Sequence, residues 1–144
     1  MSKIKNVKGR QVFDSRGNPT VEAEITLENG LIGSSIVPSG ASTGRHEAHE
    51  LRDKNKDYLN KSVFDAVNNI NDKISKTLIN KDSMDQSEID KILINLDGTD
   101  NKSNIGANAI LAVSIANLKA AAKFEKKELY KFIKNKTNPL FFMP

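Results

Sequence analysis

The sequence predicts an α+β domain: a three-stranded antiparallel meander followed by about four helices. Residues 20–28, "TVEAEITLE", alternate strictly, with Val21, Ala23, Ile25 and Leu27 on one face and polar residues on the other. Beyond residue 62 the apolar period lengthens to that of a helix, as Val63, Val67, Ile70, Ile74 and Leu78 show. Strands first and helices after give one sheet covered on one face by a helical layer.

Upstream of the alternating stretch, "IKNVKGRQVFDS" reads as the first strand, closed by the turn "SRGNP" at 15–19. Its alternation slips near Lys8-Gly9, which predicts a bulge there. "NG" at 29–30 predicts a two-residue hairpin of type I′, with positive φ at both central residues, and "LIGSSIVP" is the return strand. Ile89, Ile92, Leu93 and Leu96 repeat the helical pattern behind an Asp85/Glu88 capping box. "LDGTDNKSNIG" is a loop. Residues 107–124 are apolar on most faces and should form the most buried helix, with Asn108 and Ser114 as internal hydrogen-bonding residues. "ELYKFIKN" gives a last short helix. There is no internal repeat or low-complexity tract.

A chain of 144 residues fits one domain with a modest core. Its 22 basic and 18 acidic residues leave a net charge of +4, with the lysines interleaved among acids rather than gathered in an arm. That pattern argues against a nucleic-acid partner. The absence of cysteine rules out disulfides and thiolate metal sites, and two histidines are too few for a histidine-rich metal cage. The start, "MSKIKNVKGR", has no apolar signal segment, and no run approaches the ~18 apolar residues of a membrane span. A cytoplasmic protein without membrane contact is expected. The closing "NPLFFMP" is apolar, and the expectation is that the parent chain continues there into another domain; the alternative is that it folds back.

The densest chemistry lies in "IVPSGASTGRHEAHELRD", residues 36–53. It is neither a Walker A loop nor a G-x-G-x-x-G turn. Consecutive small residues let backbone amides approach an anion, and a helix start following them would favour negative charge. Gly40 and Gly44 can serve as hinges. Hydroxyl oxygens suit Mg²⁺, whereas Glu47 and Asp53 look like scattered acids. The plainer alternative is a strand-to-helix connection in which Ser42 or Thr43 caps the next segment.

Five blocks in order and spacing resemble enolase: "DSRGNPTVEAE" (14–24), "VPSGASTG" (37–44), "ELRD" (50–53), "LDGT" (96–99) and "GANAILAVSIA" (106–116). The likeness covers essentially all of residues 1–144, as the family's N-terminal capping domain, with the C-terminal barrel domain outside this sequence. Enolases are glycolytic lyases that interconvert 2-phosphoglycerate and phosphoenolpyruvate plus water, using Mg²⁺. The resemblance implies that the barrel carries the catalytic base and acid, so none is expected within these residues.

It further implies that Ser39, Gly40, Ala41, Ser42, Thr43, Gly44 and His46 form a mobile lid. Ser42 would bind the second Mg²⁺ only in the full-length closed state. Arg10, Arg16 and Glu22 match positions facing the neighbouring subunit of a homodimer; the plainer alternative is a solvated strand face. Arg45 and His49 depart from the family pattern, the latter replacing a leucine, so His49 either lies at the surface or alters local packing. By family analogy a surface or secreted pool also enters. The competing reading is a stand-alone, truncated enolase-like interaction domain without catalysis.

Overall fold

The computed structural model describes residues 1–39, 44 and 47–134. Strands β1 (Ile4–Phe13), β2 (Pro19–Leu27) and β3 (Ile32–Val37) form one antiparallel sheet in the order β1-β2-β3. The alternation in β2 holds: Val21, Ala23, Ile25 and Leu27 are fully buried, and burial of each large aliphatic side chain is worth roughly 1.5–3 kcal/mol. Thr20 is buried too, because its hydroxyl donates to the Val37 carbonyl.

Two details differ from the sequence pattern. The bulge falls between Ile4 and Asn6, not at Lys8-Gly9; this lets Ile4 and Val7, three apart, both face the core. The apparent slip at Gly9 has another origin, for Ile70 packs where a side chain would stand, 2.9 Å from an ideal Cβ. The hairpin is not type I′ either. Gly30 N–H donates to Leu27 O at 2.9 Å, and of Asn29 and Gly30 only the glycine has positive φ, +84°. That is the three-residue loop in which a tight turn is followed by a left-handed glycine.

Residues 64–78 form one continuous helix, α1, whose middle section, Asn69–Ile74, widens to π geometry. α2 spans Gln86–Asp97, α3 Ala107–Phe124 and α4 Leu129–Lys134. At the start of α2, Asp85 Oδ1 accepts from Glu88 N–H at 3.1 Å, so half of the capping box forms. The Asp85 N–H donates to Asp82 O instead.

α3 holds more buried residues than any other element and lies across β2 and β3. It presses so close that a Cβ on Gly33 would stand 2.2 Å from Ala116 O and 2.4 Å from Ala120 N. Ser114 bonds Asp90 at 2.7 Å across to α2, and Asn117, fully buried, donates to Ser83 O and Gln86 Oε1.

Both sheet edges are occupied. The Asn71 side-chain amide takes both the N–H and C=O of Gly9, at 2.8 and 3.2 Å, and Lys119 and Lys123 donate to Ser34 O and Ile32 O on β3. Edge groups satisfied this way cannot template further strands. Among the described residues, no helix is long and apolar enough to cross a membrane. "NPLFFMP" lies outside the described residues.

Candidate functional site

Gly40, Ala41, Ser42, Thr43, Arg45 and His46 lie outside the described residues, but Ser39, Gly44 and residues 47–53 place both ends of the loop. Ser39 follows β3 and is held on the return limb: its Oγ donates to Glu50 Oε1 at 2.5 Å and accepts from Arg52 Nη2 at 2.5 Å. Arg52 also bonds Glu50 at 2.9 Å, Pro19 O at 3.2 Å and Lys61 O. One planar guanidinium therefore joins the start of β2, the exit of β3, the return limb and the approach to α1.

The opposite side of the return limb is fixed by its backbone. The Asn108 amide, at the start of α3, bonds the N–H and C=O of Leu51 at 3.2 and 3.0 Å. His49 N–H donates to Asn101 O at 2.6 Å, and Ala107 N–H to His49 O at 2.8 Å. The His49 side chain is exposed, so the first of its two alternatives holds. Gly44, also exposed, accepts from Glu47 N–H at 3.2 Å.

The limb does not run into a helix N-terminus, contrary to the sequence expectation. Residues 47–53 are irregular, and α1 begins only at Phe64. Asp53 spans that gap. Its carboxylate accepts from Ser62 Oγ at 2.6 Å and from the N–H groups of Phe64 and Asp65 at 2.9 Å, capping α1 from eleven and twelve residues upstream. Burial opposes its charge, but the Ser62, Asp65 and Phe64 donors outweigh burial and hold the carboxyl below its ordinary value.

Asp97 does the same for the 98–106 loop. It accepts from the N–H groups of Thr99, Asn104 and Ile105 and from the Thr99 hydroxyl. Burial again works against its charge and the donors, Ile105 N–H first, outweigh it. Asp14 orders the β1–β2 turn, accepting from Asn18 N–H at 2.9 Å and Arg16 N–H at 2.8 Å, which lower its pKa.

Two hollows flank Ser39. One, of about 340 Å³, is lined by Asp14, Arg16, Asn18, Glu50, Arg52 and Lys61 besides Ser39 itself. The other, of about 390 Å³, lies against Phe13, Ile36 and Pro38. Arg16 thus sits beside the loop. Arg10 and Glu22 lie instead on the sheet face opposite the helices, where Arg10 bridges Glu22 and Glu24, each at 3.0 Å.

Among the described residues, no group of three or more histidines and carboxylates is placed to hold a metal. Glu50 is committed to Ser39 and Arg52, and Asp53 to its three donors. The described neighbours of the loop do not themselves make a Mg²⁺ site. Sequence reasoning missed the duties of Glu50, Arg52, Asp53 and Asp97; the only signal was acid and base two apart in "ELRD".

Fold and site together define a framing domain, in which an α+β body holds the two limbs that flank a small-residue loop. Residues 4–133 match the family model described as "Enolase, N-terminal domain". The chain belongs to that family.

Proposed function

We propose that this chain is the capping and lid domain of an enolase, a carbon–oxygen lyase interconverting 2-phosphoglycerate and phosphoenolpyruvate plus water. The observation that carries the reading is the family match over residues 4–133, which spans both limbs of the clamped loop. Ser39, Gly40, Ala41, Ser42, Thr43, Gly44 and His46 form the lid. The catalytic base and acid belong to a barrel domain of the parent, and Arg10, Arg16 and Glu22 face the second subunit of its homodimer.

Removing a proton next to a carboxylate builds negative charge that fixed cations stabilise, which is the chemistry Mg²⁺ supplies when bound. Ser42 would offer its hydroxyl and carbonyl oxygens to that ion in the closed state, with carboxylates from the parent's barrel completing the set. What this chain's own residues do is position. Arg52, Glu50 and Asn108 fix the limbs, so the loop is presented from two held ends.

The test measures phosphoenolpyruvate formation by absorbance. The 144-residue chain alone should give no turnover. In the full-length parent, Ser42→Ala should lower kcat by about 10²-fold, the range for losing one transition-state contact, with a much smaller change in KM. Unchanged kcat removes Ser42 from the mechanism, and steady turnover by the purified 144-residue chain overturns the capping reading.

A further inference from the structure

We propose that the tip of the β2–β3 hairpin is a site of spontaneous covalent modification. Asn29 closes on the Gly30 amide and gives aspartate and isoaspartate, at a rate that the folded loop restrains. This is independent of the enolase reading. Asn29-Gly30 is the only Asn-Gly pair in the sequence, and every other asparagine precedes a residue that carries a Cβ. Glycine therefore leaves this one amide nitrogen unshielded by a neighbouring side chain.

The Gly30 nitrogen gives its proton to solvent base and attacks Cγ of Asn29. The new N–Cγ bond replaces the carboxamide C–N bond, ammonia leaves, and a cyclic succinimide remains. Water then opens the ring. Cleavage at Cγ gives aspartate; cleavage at the main-chain carbonyl carbon gives isoaspartate, with the chain running through the former side chain. Both residues are exposed, so base and water reach them, and nothing lies within 4 Å of where a Gly30 Cβ would stand. Two hydrogen bonds oppose closure. Gly30 N–H donates to Leu27 O at 2.9 Å, and Asn29 Oδ1 accepts from Leu31 N–H at 3.1 Å. Nucleophile and target are each tied elsewhere, so the reaction proceeds from a local opening of the tip.

The chain's one Asp-Gly pair, Asp97-Gly98, could close in the same way with loss of water, but the fold silences it. Asp97 is buried, and its carboxylate accepts from the N–H groups of Thr99, Asn104 and Ile105. The two products at the hairpin differ in what they do. Aspartate at 29 keeps an oxygen for Leu31 N–H and makes that bond charge-assisted. Isoaspartate adds one carbon to the main chain of a tight loop whose limbs are pinned. Thr26 pairs with Ile32, Leu27 N–H donates to Leu31 O at 2.9 Å, and Gly33 has α3 backbone directly over it. β3 has no room to slide, so the extra carbon opens the tip and loosens the start of the strand.

The test incubates the 144-residue chain in mildly alkaline buffer, folded and in urea, and follows each asparagine by peptide mass mapping. An isoaspartyl carboxyl methyltransferase with a labelled methyl donor is the probe for isoaspartate. Asn29 should convert before any other asparagine in both samples, about tenfold more slowly in the folded chain, as two hydrogen bonds to be broken imply. Asp97 should yield isoaspartate only in urea. Gly30→Ala should abolish the lead of Asn29 in urea, where the fold plays no part. Asn29→Asp should unfold at the same urea concentration as the unaltered chain or a higher one, and the separated isoaspartyl form at a lower one. Another asparagine converting first overturns the proposal, as does a folded rate equal to or above that in urea. So does methyl incorporation at 97 in the folded chain, or an isoaspartyl form as stable as Asn29→Asp.

Discussion

Arg52 shows what a single side chain can organise. Its fork reaches neighbouring Glu50 and, from other segments, the Ser39 hydroxyl and the Pro19 and Lys61 carbonyls, and hydrogen bonds to a charged group contribute roughly 1.5–3 kcal/mol. Arg52→Gln should therefore lower stability by about 2 kcal/mol in urea unfolding. It should also raise the rate of proteolytic cleavage between residues 39 and 50 more than Arg52→Lys does, which keeps the charge but loses the fork. Equal cleavage in both variants and the unaltered chain would remove Arg52 from the clamp. The pairing of acid and base at 50 and 52 is visible in the sequence. Its purpose is not, because Ser39, Pro19 and Lys61 reach Arg52 only through the fold. Asp53 was hidden for the same reason, since a cap eleven residues away leaves no local spacing to read.

At the level of elements, legibility followed the strength of the period. β2 and α3 could be drawn from the sequence because their burial is regular. The π section of α1 was invisible, since Ile70 and Ile74 keep ordinary helical spacing while the backbone widens around Asn71. The hairpin was legible as a hairpin but not in its turn, because a single left-handed glycine satisfies "NG" as well as two left-handed residues do. Gly33 makes the helix–sheet contact testable. With backbone of Ala116 and Ala120 on the spot where a methyl would go, Gly33→Ala must push α3 off the sheet. Overpacking of this kind costs typically 1–3 kcal/mol, and more where backbone has to move. Gly17→Ala, in open space at φ +76°, meets only conformational strain of about 1 kcal/mol. Thermal melts should rank Gly33→Ala well below Gly17→Ala, and the reverse order would mean that α3 does not sit on β3 as closely as drawn.

Across the whole molecule, two carboxylates fasten the connections that lead into the helical layer. Asp53 fastens the return limb to the start of α1, and Asp97 fastens the end of α2 to the loop leading into α3. Both have folded pKa values below the 3.8 of an unperturbed aspartate. The unfolded chain therefore takes up protons at higher pH than the folded one. Their contribution is complete above about pH 5 and is lost as pH falls through 3.8 toward the folded values. The domain should hold a constant unfolding midpoint from neutrality to about pH 5 and then lose stability steeply, with both seams loosening together. Asp97→Asn separates this from general acid unfolding. Its amide presents one carbonyl oxygen to donors that the carboxylate served with two, so at pH 7 it should cost on the order of 2 kcal/mol or more. The gap between variant and unaltered chain should then close as pH drops below 4, because protonation removes from the unaltered chain what the variant already lacks. A gap that stays constant down to pH 3, or widens, would show that Asp97 is not ionised in the folded domain and that the seam is held by packing alone.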